Sequence, residues 1–461
     1  MTSVTLLAAI VSLGTLSLPG DGDSPDDLIA IEVGRVITVS GEELEGGTIL
    51  IEAGRIKAIG TGLEIPWNAR VLKYPRGVAM PGLIACHSTI GLRVPQEKVP
   101  NAPYISVVDG IDPSSRAIKN SLRDGITVAH VMPSNATRIG GQGAVVRLTG
   151  RTVEEMVIAS PSGMKISLLP PRGETRMESM AALRKTFLDL HYRVAELALD
   201  AAPPALLSGR PVERPELAAL VEARPDWESI AWDNVPMEKV GPELSPLVDL
   251  VRGKMPAFTY CATASDVFKA FEIIDAHGLQ STLILGADAY KLAAVLASRK
   301  DLGLVILDSQ QVIWETDPAT GREKRHVTPR ILFDAGILFA LQPAEVLRPS
   351  RQSRQSGQSG PGFSRDGELH LWYQAALLVR FGIPRDEALK TITETPARIL
   401  GLDHRMGTLE VGKDANITIF SGDPLDARSW VEHVLIEGKE AYRRDKDREL
   451  ELLLKDPEKS F

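Results

Sequence analysis

Cysteine is nearly absent: Cys86 and Cys261 are the only two thiols in 461 residues. Two thiols exclude a disulfide-stapled scaffold and a four-cysteine zinc site, and say nothing firm about compartment. Aromatic residues are scarce at 5%, and no stretch interleaves them with basic residues. There is no excess of positive charge either. Lys and Arg number 52 against 60 Asp and Glu, a formal net charge of -8, so the electrostatic footprint of a nucleic-acid binder is missing. Long apolar runs are also lacking. Residues 4–18 form an apolar run too short for a good membrane span, and no other stretch could cross a bilayer.

That run, followed by Pro19-Gly20-Asp21-Gly22, has the length of a secretory h-region, although no Lys or Arg precedes it and no clear small-x-small cleavage site follows. A leader over 1–22 implies a secreted or periplasmic protein. A disordered leader or a mis-called start leaves a cytoplasmic one.

What is present is a soluble-globular composition, 44% hydrophobic and 24% charged, in a chain long enough for a barrel and a smaller domain. The chain is organised around Met80-Pro81-Gly82-Leu83-Ile84-Ala85-Cys86-His87-Ser88-Thr89. A Pro-Gly lead-in, a short apolar run and polar residues at the carboxyl end read as a buried strand. In a β/α barrel that end is the active face. Strand alternation predicts that His87 and Thr89 share one side and that Cys86 faces the surrounding helices.

Further strands are predicted at 127–132, 165–169, 257–261, 281–285, 304–307 and 337–341, with helices at 177–198, 264–276, 289–298 and 369–381. Alternating strands and helices argue for parallel strands with crossover helices. Cys261 follows a residue assigned inward and so points out. Short β-rich runs at 31–39 and 48–60 read as hairpins, and 415–420 and 431–438 have the same character. Residues 201–226, rich in Pro and charge, read as a helical insertion, and 439–461 as a mixed-charge helical tail. The low-complexity stretch 348–362 is expected to be a flexible loop on the substrate face.

The stretch 81–92 resembles the first barrel strand of the amidohydrolase superfamily, in its imidazolonepropionase-like branch, where the pattern is His-x-His. Three other stretches match the same branch: Ile139-Gly140-Gly141-Gln142-Gly143 with Gly150-Arg151-Thr152-Val153-Glu154-Glu155-Met156, then Met164-Lys165-Ile166, then Thr395-Pro396-Ala397-Arg398-Ile399-Leu400-Gly401 through Gly412-Lys413-Asp414-Ala415-Asn416. The resemblance covers about 31–441 and implies a distorted (β/α)8 TIM barrel over 80–403. It also implies a composite β-sandwich built from 28–79 and 404–445, leaving a charged tail at 446–461.

By resemblance the activity would be metal-dependent hydrolysis of C–N bonds other than linear peptide bonds. That chemistry needs one or two divalent ions to lower the pKa of a bound water, and a carboxylate to take its proton. The family's ligand positions are filled differently here. On the first strand His87 remains, but Thr89 stands at the second ligand position, and a neutral hydroxyl is a poor zinc ligand. On the fifth, Val-His-Ala-His becomes Thr259-Tyr260-Cys261-Ala262. On the sixth, the two histidines fall at Leu285 and Tyr290. On the eighth, Asp-His-Pro becomes Leu341-Gln342-Pro343.

Eight histidines are present, and none lies near the ends of the fifth, sixth or eighth strands. His130 ends the second strand and could face either way, and His326 falls in a polar loop at 317–326. His87, Lys165 and Asp308 could converge, and some relatives carboxylate a lysine at the position of Lys165 to bridge metals. The simpler expectation is that His87 is a barrel-lining residue bonded to Thr89 and Lys165 pairs with a carboxylate.

No Gly-x-Ser-x-Gly elbow appears, and Gly140-Gly141-Gln142-Gly143 lacks the Lys-Ser/Thr of a phosphate loop, so a structural hairpin is expected there. The replacements point to a barrel mouth filled with apolar or phenolic groups and no bound cofactor. Three functions remain open: a catalytically inactive or ligand-binding barrel with a small molecule in its mouth; a cyclic-amide or dipeptide hydrolase with one zinc on His87, Lys165 and Asp308; and a scaffold that forms homo-oligomers or partners a homologous amidohydrolase.

Overall fold

The structure, a computed structural model, describes residues 28–94, 97–201, 225–228, 230–308, 311–345, 348–349, 363–364 and 368–455. The leader at 1–22, nearly all of the insertion at 201–226 and most of the loop at 348–362 lie outside the described residues.

Eight strands make the barrel sheet: β1 (Leu83–Ser88), β2 (Ile126–Val131), β3 (Ile139–Arg147), β4 (Val157–Ser167), β5 (Ala257–Cys261), β6 (Ser281–Leu285), β7 (Val305–Leu307) and β8 (Phe339–Leu341). They neighbour one another in chain order. All are parallel except β3, which runs antiparallel to β2 and β4. The distortion therefore has a specific cause. The chain doubles back as a hairpin where a regular barrel has a crossover helix, and Gly140 to Gly143 lie in that hairpin. β1 and β8 share no ladder. Their free edges are bridged by the segment after the last barrel strand: Ile84 N–H donates to the Ile392 carbonyl and Leu341 N–H to the Thr391 carbonyl, both at 3.0 Å.

Side chains fill the interior in layers, as barrel geometry requires. Ile84, Val128 and Val145 close the floor with Ala397, Leu402 and Met406. Above them pack Cys86, Met132, Phe258, Ile284, Ile306 and Ala340. The alternate residues of the same strands, including Ala257, Cys261, Leu283, Leu285, Leu307 and Leu341, pack outward with the helices.

Two expectations are corrected here. Leu285 and Leu341 face the helical layer, because Ile284 and Ala340 take the inward positions. Cys86 faces inward by regular alternation from Ile84, and His87 joins it because the β1–β2 register shifts between Ala85 and Ser88. That bulge sets Cys86 and His87 against one partner residue, so both enter the barrel. Cys261 does point out, as expected.

The helices begin where local chemistry satisfies their free N–H groups. Thr175 and Glu178 form a reciprocal capping box on helix Arg176–Asp200, with bonds of 3.2 and 2.7 Å. Helix Ala264–His277 starts with Thr263 and Asp266 in the same arrangement and stops at Gly278, where φ is 61°. Gly286, just after β6, is needed for a different reason: a Cβ there would lie 2.1 Å from the Ala262 carbonyl oxygen. Gly286→Ala is expected to cost about 1–3 kcal/mol or more of stability by forcing this backbone contact apart. Denaturant unfolding midpoints check it, and an unchanged midpoint would refute the packing argument.

Both chain ends build one eight-stranded sheet beside the barrel. Strands Leu28–Val36, Leu44–Glu45, Gly47–Glu52, Arg55–Thr61 and Arg70–Pro81 come from the N-terminal side, and Ile417–Phe420, Val431–Ile436 and Lys439–Arg443 from the C-terminal side. The halves join where Val78 to Pro81 pair antiparallel with Phe420 to Ile417. The expected composite sandwich is thus a single continuous sheet. Residues 439–443, read as part of a helical tail, are its edge strand, and among the described residues the tail's α-helix is Arg448–Lys455. Gly82 alone separates the sheet from β1, and a Cβ on it would sit 2.3 Å from Thr127 atoms.

Candidate functional site

The carboxyl ends of the barrel strands bring five polar side chains together. His87 comes from β1, Lys165 from β4, Tyr260 from β5, Asp308 from just after β7 and Gln342 from just after β8. Lys165 Nζ lies 2.7 Å from His87 Nε2, and His87 Nδ1 lies 2.7 Å from Gln342 Oε1. Gln342 Nε2 donates to Asp308 Oδ1 at 2.9 Å, and the Tyr260 hydroxyl donates to Asp308 Oδ2 at 3.3 Å.

The direction of this relay follows from donor and acceptor chemistry. A carboxylate only accepts, so the Gln342 amide turns its nitrogen to Asp308 and its oxygen to His87. His87 must then carry its proton on Nδ1, which leaves Nε2 to accept from Lys165. Every link is satisfied, which keeps a buried polar cluster from being costly.

Electrostatics agree with this arrangement. Burial, followed by the nearby Lys165 ammonium, pushes the His87 pKa well below its ordinary value, so the ring is neutral. Burial lowers the Lys165 pKa to about 7, opposed by the Asp308 carboxylate. The Lys165 side chain is 0% exposed, so its ammonium has only the relay and the Tyr260 ring, 5.4 Å from Nζ, to replace water. The Tyr260 hydroxyl is pushed up, first by burial and then by Asp308.

His130, whose orientation the sequence leaves open, also turns inward. Its ring nitrogens meet the Cys86 carbonyl at 3.0 Å and Ser162 Oγ at 2.9 Å, and its edge meets Phe258 at 4.5 Å between centroids. Burial lowers its pKa to about 4, which makes it a neutral packing group.

The remaining sequence candidates lie elsewhere. Thr89 follows β1, where its carbonyl accepts from Leu92 N–H at 3.0 Å. The expected His87–Thr89 bond gives way to Gln342 and Lys165, because the bulge turns His87 toward β4 and β8. Ala262 follows β5 beside Gly286. Tyr290 stacks on His326 at 4.2 Å and donates to Glu315 at 3.1 Å, in a separate cluster against the hairpin of Val312–Thr316 and Glu323–Val327. The expected apolar mouth is therefore a polar one. Leu285 and Leu341 do not line it, and the residues that do are linked by hydrogen bonds. Gln342 could have been placed inward from sequence by continuing the alternation through Phe339, Ala340 and Leu341.

Comparison with known proteins gives matches of three kinds: a family model, curated relatives and solved structures. A family model described as "Amidohydrolase family" matches residues 378–442. An imidazolonepropionase from Sphingopyxis alaskensis is 24% identical over 417 residues, 85% of this chain and 91% of that protein. An amidohydrolase from Thermotoga maritima superposes with a TM-score of 0.67 at 24% identity, covering 90% of this chain and 100% of the other. The chain is similar to amidohydrolases over most of its length and shares the fold of a solved one. A shorter match, 35% identity over 69 residues, is to the amidohydrolase tasK of Hapsidospora irregularis. It covers 15% of this chain and 7% of that protein.

Metal-dependent hydrolysis needs several ligands converging on one ion. Among the described residues no group of three or more His, Cys, Asp or Glu side chains could hold one. His87 is the single imidazole of the mouth relay, and its Nε2 already accepts from a lysine. Asp308 is separated from it by the Gln342 amide.

Proposed function

We propose that this protein is a non-hydrolysing amidohydrolase-fold protein, metal-independent, that acts by binding a small molecule. One observation carries the reading: Lys165 and Gln342 occupy the two ring nitrogens of His87, so the only imidazole in the relay has no lone pair to offer a metal. A closed chain of donors and acceptors replaces the ion as the device that keeps the barrel mouth polar without unpaired groups. Metal analysis after zinc exposure and desalting tests it. Metal well below one ion per chain is expected, with no chelator-sensitive turnover of cyclic amides. A full equivalent of zinc lost on His87→Ala would overturn it.

A second reading is supported by the meeting of His87, Lys165 and Asp308 in one network. A cyclic-amide hydrolase with a single ion on those three residues would need Lys165 to leave His87 Nε2 and Gln342 to swing out from between His87 and Asp308. The matched imidazolonepropionase makes a cyclic amide the natural substrate to try, and the same metal analysis separates the two readings.

A further inference from the structure

Away from the barrel mouth, a cavity of about 790 Å³ opens where the N-terminal hairpin, the C-terminal strands and the barrel meet. Five cationic side chains line it: Arg55, Arg70, Arg147, Arg405 and Lys439. Three carboxylates, Asp414, Glu437 and Glu440, share the same wall. The lining thus carries two net positive charges in a chain whose formal net charge is -8.

The carboxylates are shared rather than matched one to one. Buried Asp414 takes Arg405 at 2.7 Å and Arg55 at 3.7 Å. Glu437 takes Arg147 at 2.9 Å and Arg405 at 3.7 Å. Glu440 takes Arg70 only at 3.6 Å, while Lys446 sits at 2.5 Å and His433 at 3.4 Å. Lys439 has no carboxylate partner among the described residues. The guanidinium groups are therefore held in place with positive charge to spare, which is the preorganised state that favours anion capture.

Two hairpin turns form part of the wall. Among the described residues three non-glycine residues adopt positive φ, and two of them, Ala53 at 48° and Glu437 at 48°, are in this lining. Each precedes a glycine of positive φ, Gly54 and Gly438, and the two turns touch: a Cβ on Gly438 would be 3.2 Å from Gly54 Cα. Both pairs are the central residues of two-residue hairpin turns, Glu52–Arg55 and Ile436–Lys439, for which left-handed backbone at both positions is the ordinary conformation. The turns set Glu437, with its arginines, beside the cavity.

From this we infer that the cavity at the sheet–barrel junction binds a small phosphorylated molecule, its phosphate held among Arg55, Arg70, Arg147, Arg405 and Lys439. Cations from separate chain segments surround the space, which suits a tetrahedral dianion accepting from several directions better than one planar carboxylate. The volume lies within the roughly 300–1,000 Å³ of small-molecule sites and leaves room for an organic portion against Ile29 and Ile51.

Calorimetric titration and thermal unfolding of the full chain with inorganic pyrophosphate at low ionic strength test the assignment. Saturable binding with a raised melting temperature is expected. The pair of substitutions Arg70→Ala and Lys439→Ala leaves the Asp414 and Glu437 ion pairs in place. It should weaken binding by about tenfold or more while the unliganded melting temperature stays close to the parent's. Lys439→Arg should retain binding. Absence of binding, an affinity unchanged by the paired substitutions, or citrate binding more tightly than pyrophosphate would overturn the inference.

Discussion

Asp308→Asn is expected to destabilise the fold strongly in mild acid and hardly at all above neutrality. The substitution keeps the shape and one acceptor but removes the charge that opposes burial of the Lys165 ammonium. Without it the Lys165 pKa falls below its value of about 7. The folded variant then sheds a proton that the parent keeps. Each pH unit below about 7 widens the deficit by about 1.4 kcal/mol, giving about 3 kcal/mol near pH 5 and almost nothing above about pH 8. Denaturant unfolding of parent and variant at both pH values measures it. Equal losses at the two would mean that Asp308 acts through shape and hydrogen bonding alone, and that no charge is relayed from Lys165.

The second large effect concerns Lys165 itself. Its folded pKa of about 7 lies below the ordinary 10.5, so between these values the unfolded chain binds more protons than the folded one. Stability must then rise with pH across that window, be fully present above about 10.5, and be lost as pH falls through about 7. The slope reaches about 1.4 kcal/mol per unit, so the parent should gain a few kcal/mol relative to Lys165→Met between about pH 7 and about pH 10. The comparison with Lys165→Met cancels other groups that titrate alike in both chains. His87 titrates below this window and does not blur it. A parent and variant that track one another in parallel would show that the lysine enters the folded state with an ordinary proton affinity.

The two experiments read the same relay from its ends, which makes their combination informative. A relay that behaves in this way keeps Lys165 committed to His87. On the proposed reading that commitment, rather than a shortage of polar groups, is what would keep the mouth of this barrel from holding a metal.

Much of the architecture was legible in the sequence because it rests on local rules. The Pro-Gly lead-in and apolar run at 80–88, the Thr-x-x-Glu cap at 175–178 and the glycine stop at 278 each specify an element by themselves. Cys261 and Tyr260 fell on the expected sides of β5 because that strand is regular. The errors came where regularity fails or where strand parity was counted from the wrong residue. The bulge between Ala85 and Ser88 carries no sequence signal, since it arises from pairing with β2, a segment some 40 residues away. It turned His87 into the barrel beside Cys86 and moved it from Thr89 toward Lys165 and Gln342. A one-residue slip placed Leu285 and Leu341 in the mouth, because alternation has period two and a shift of one exchanges the faces.

The sequence alone determined the resemblance to amidohydrolases, the barrel with its companion β-domain, and the identity of the side chains at the strand ends, because motifs, propensity, capping and alternation act over a few neighbouring residues. Only the tertiary structure decided that these side chains join into one relay and that arginines from distant segments surround a single cavity. Both depend on how strands far apart in the chain are set side by side, and a few tenths of a nanometre in that placement separates a hydrogen bond from no contact at all.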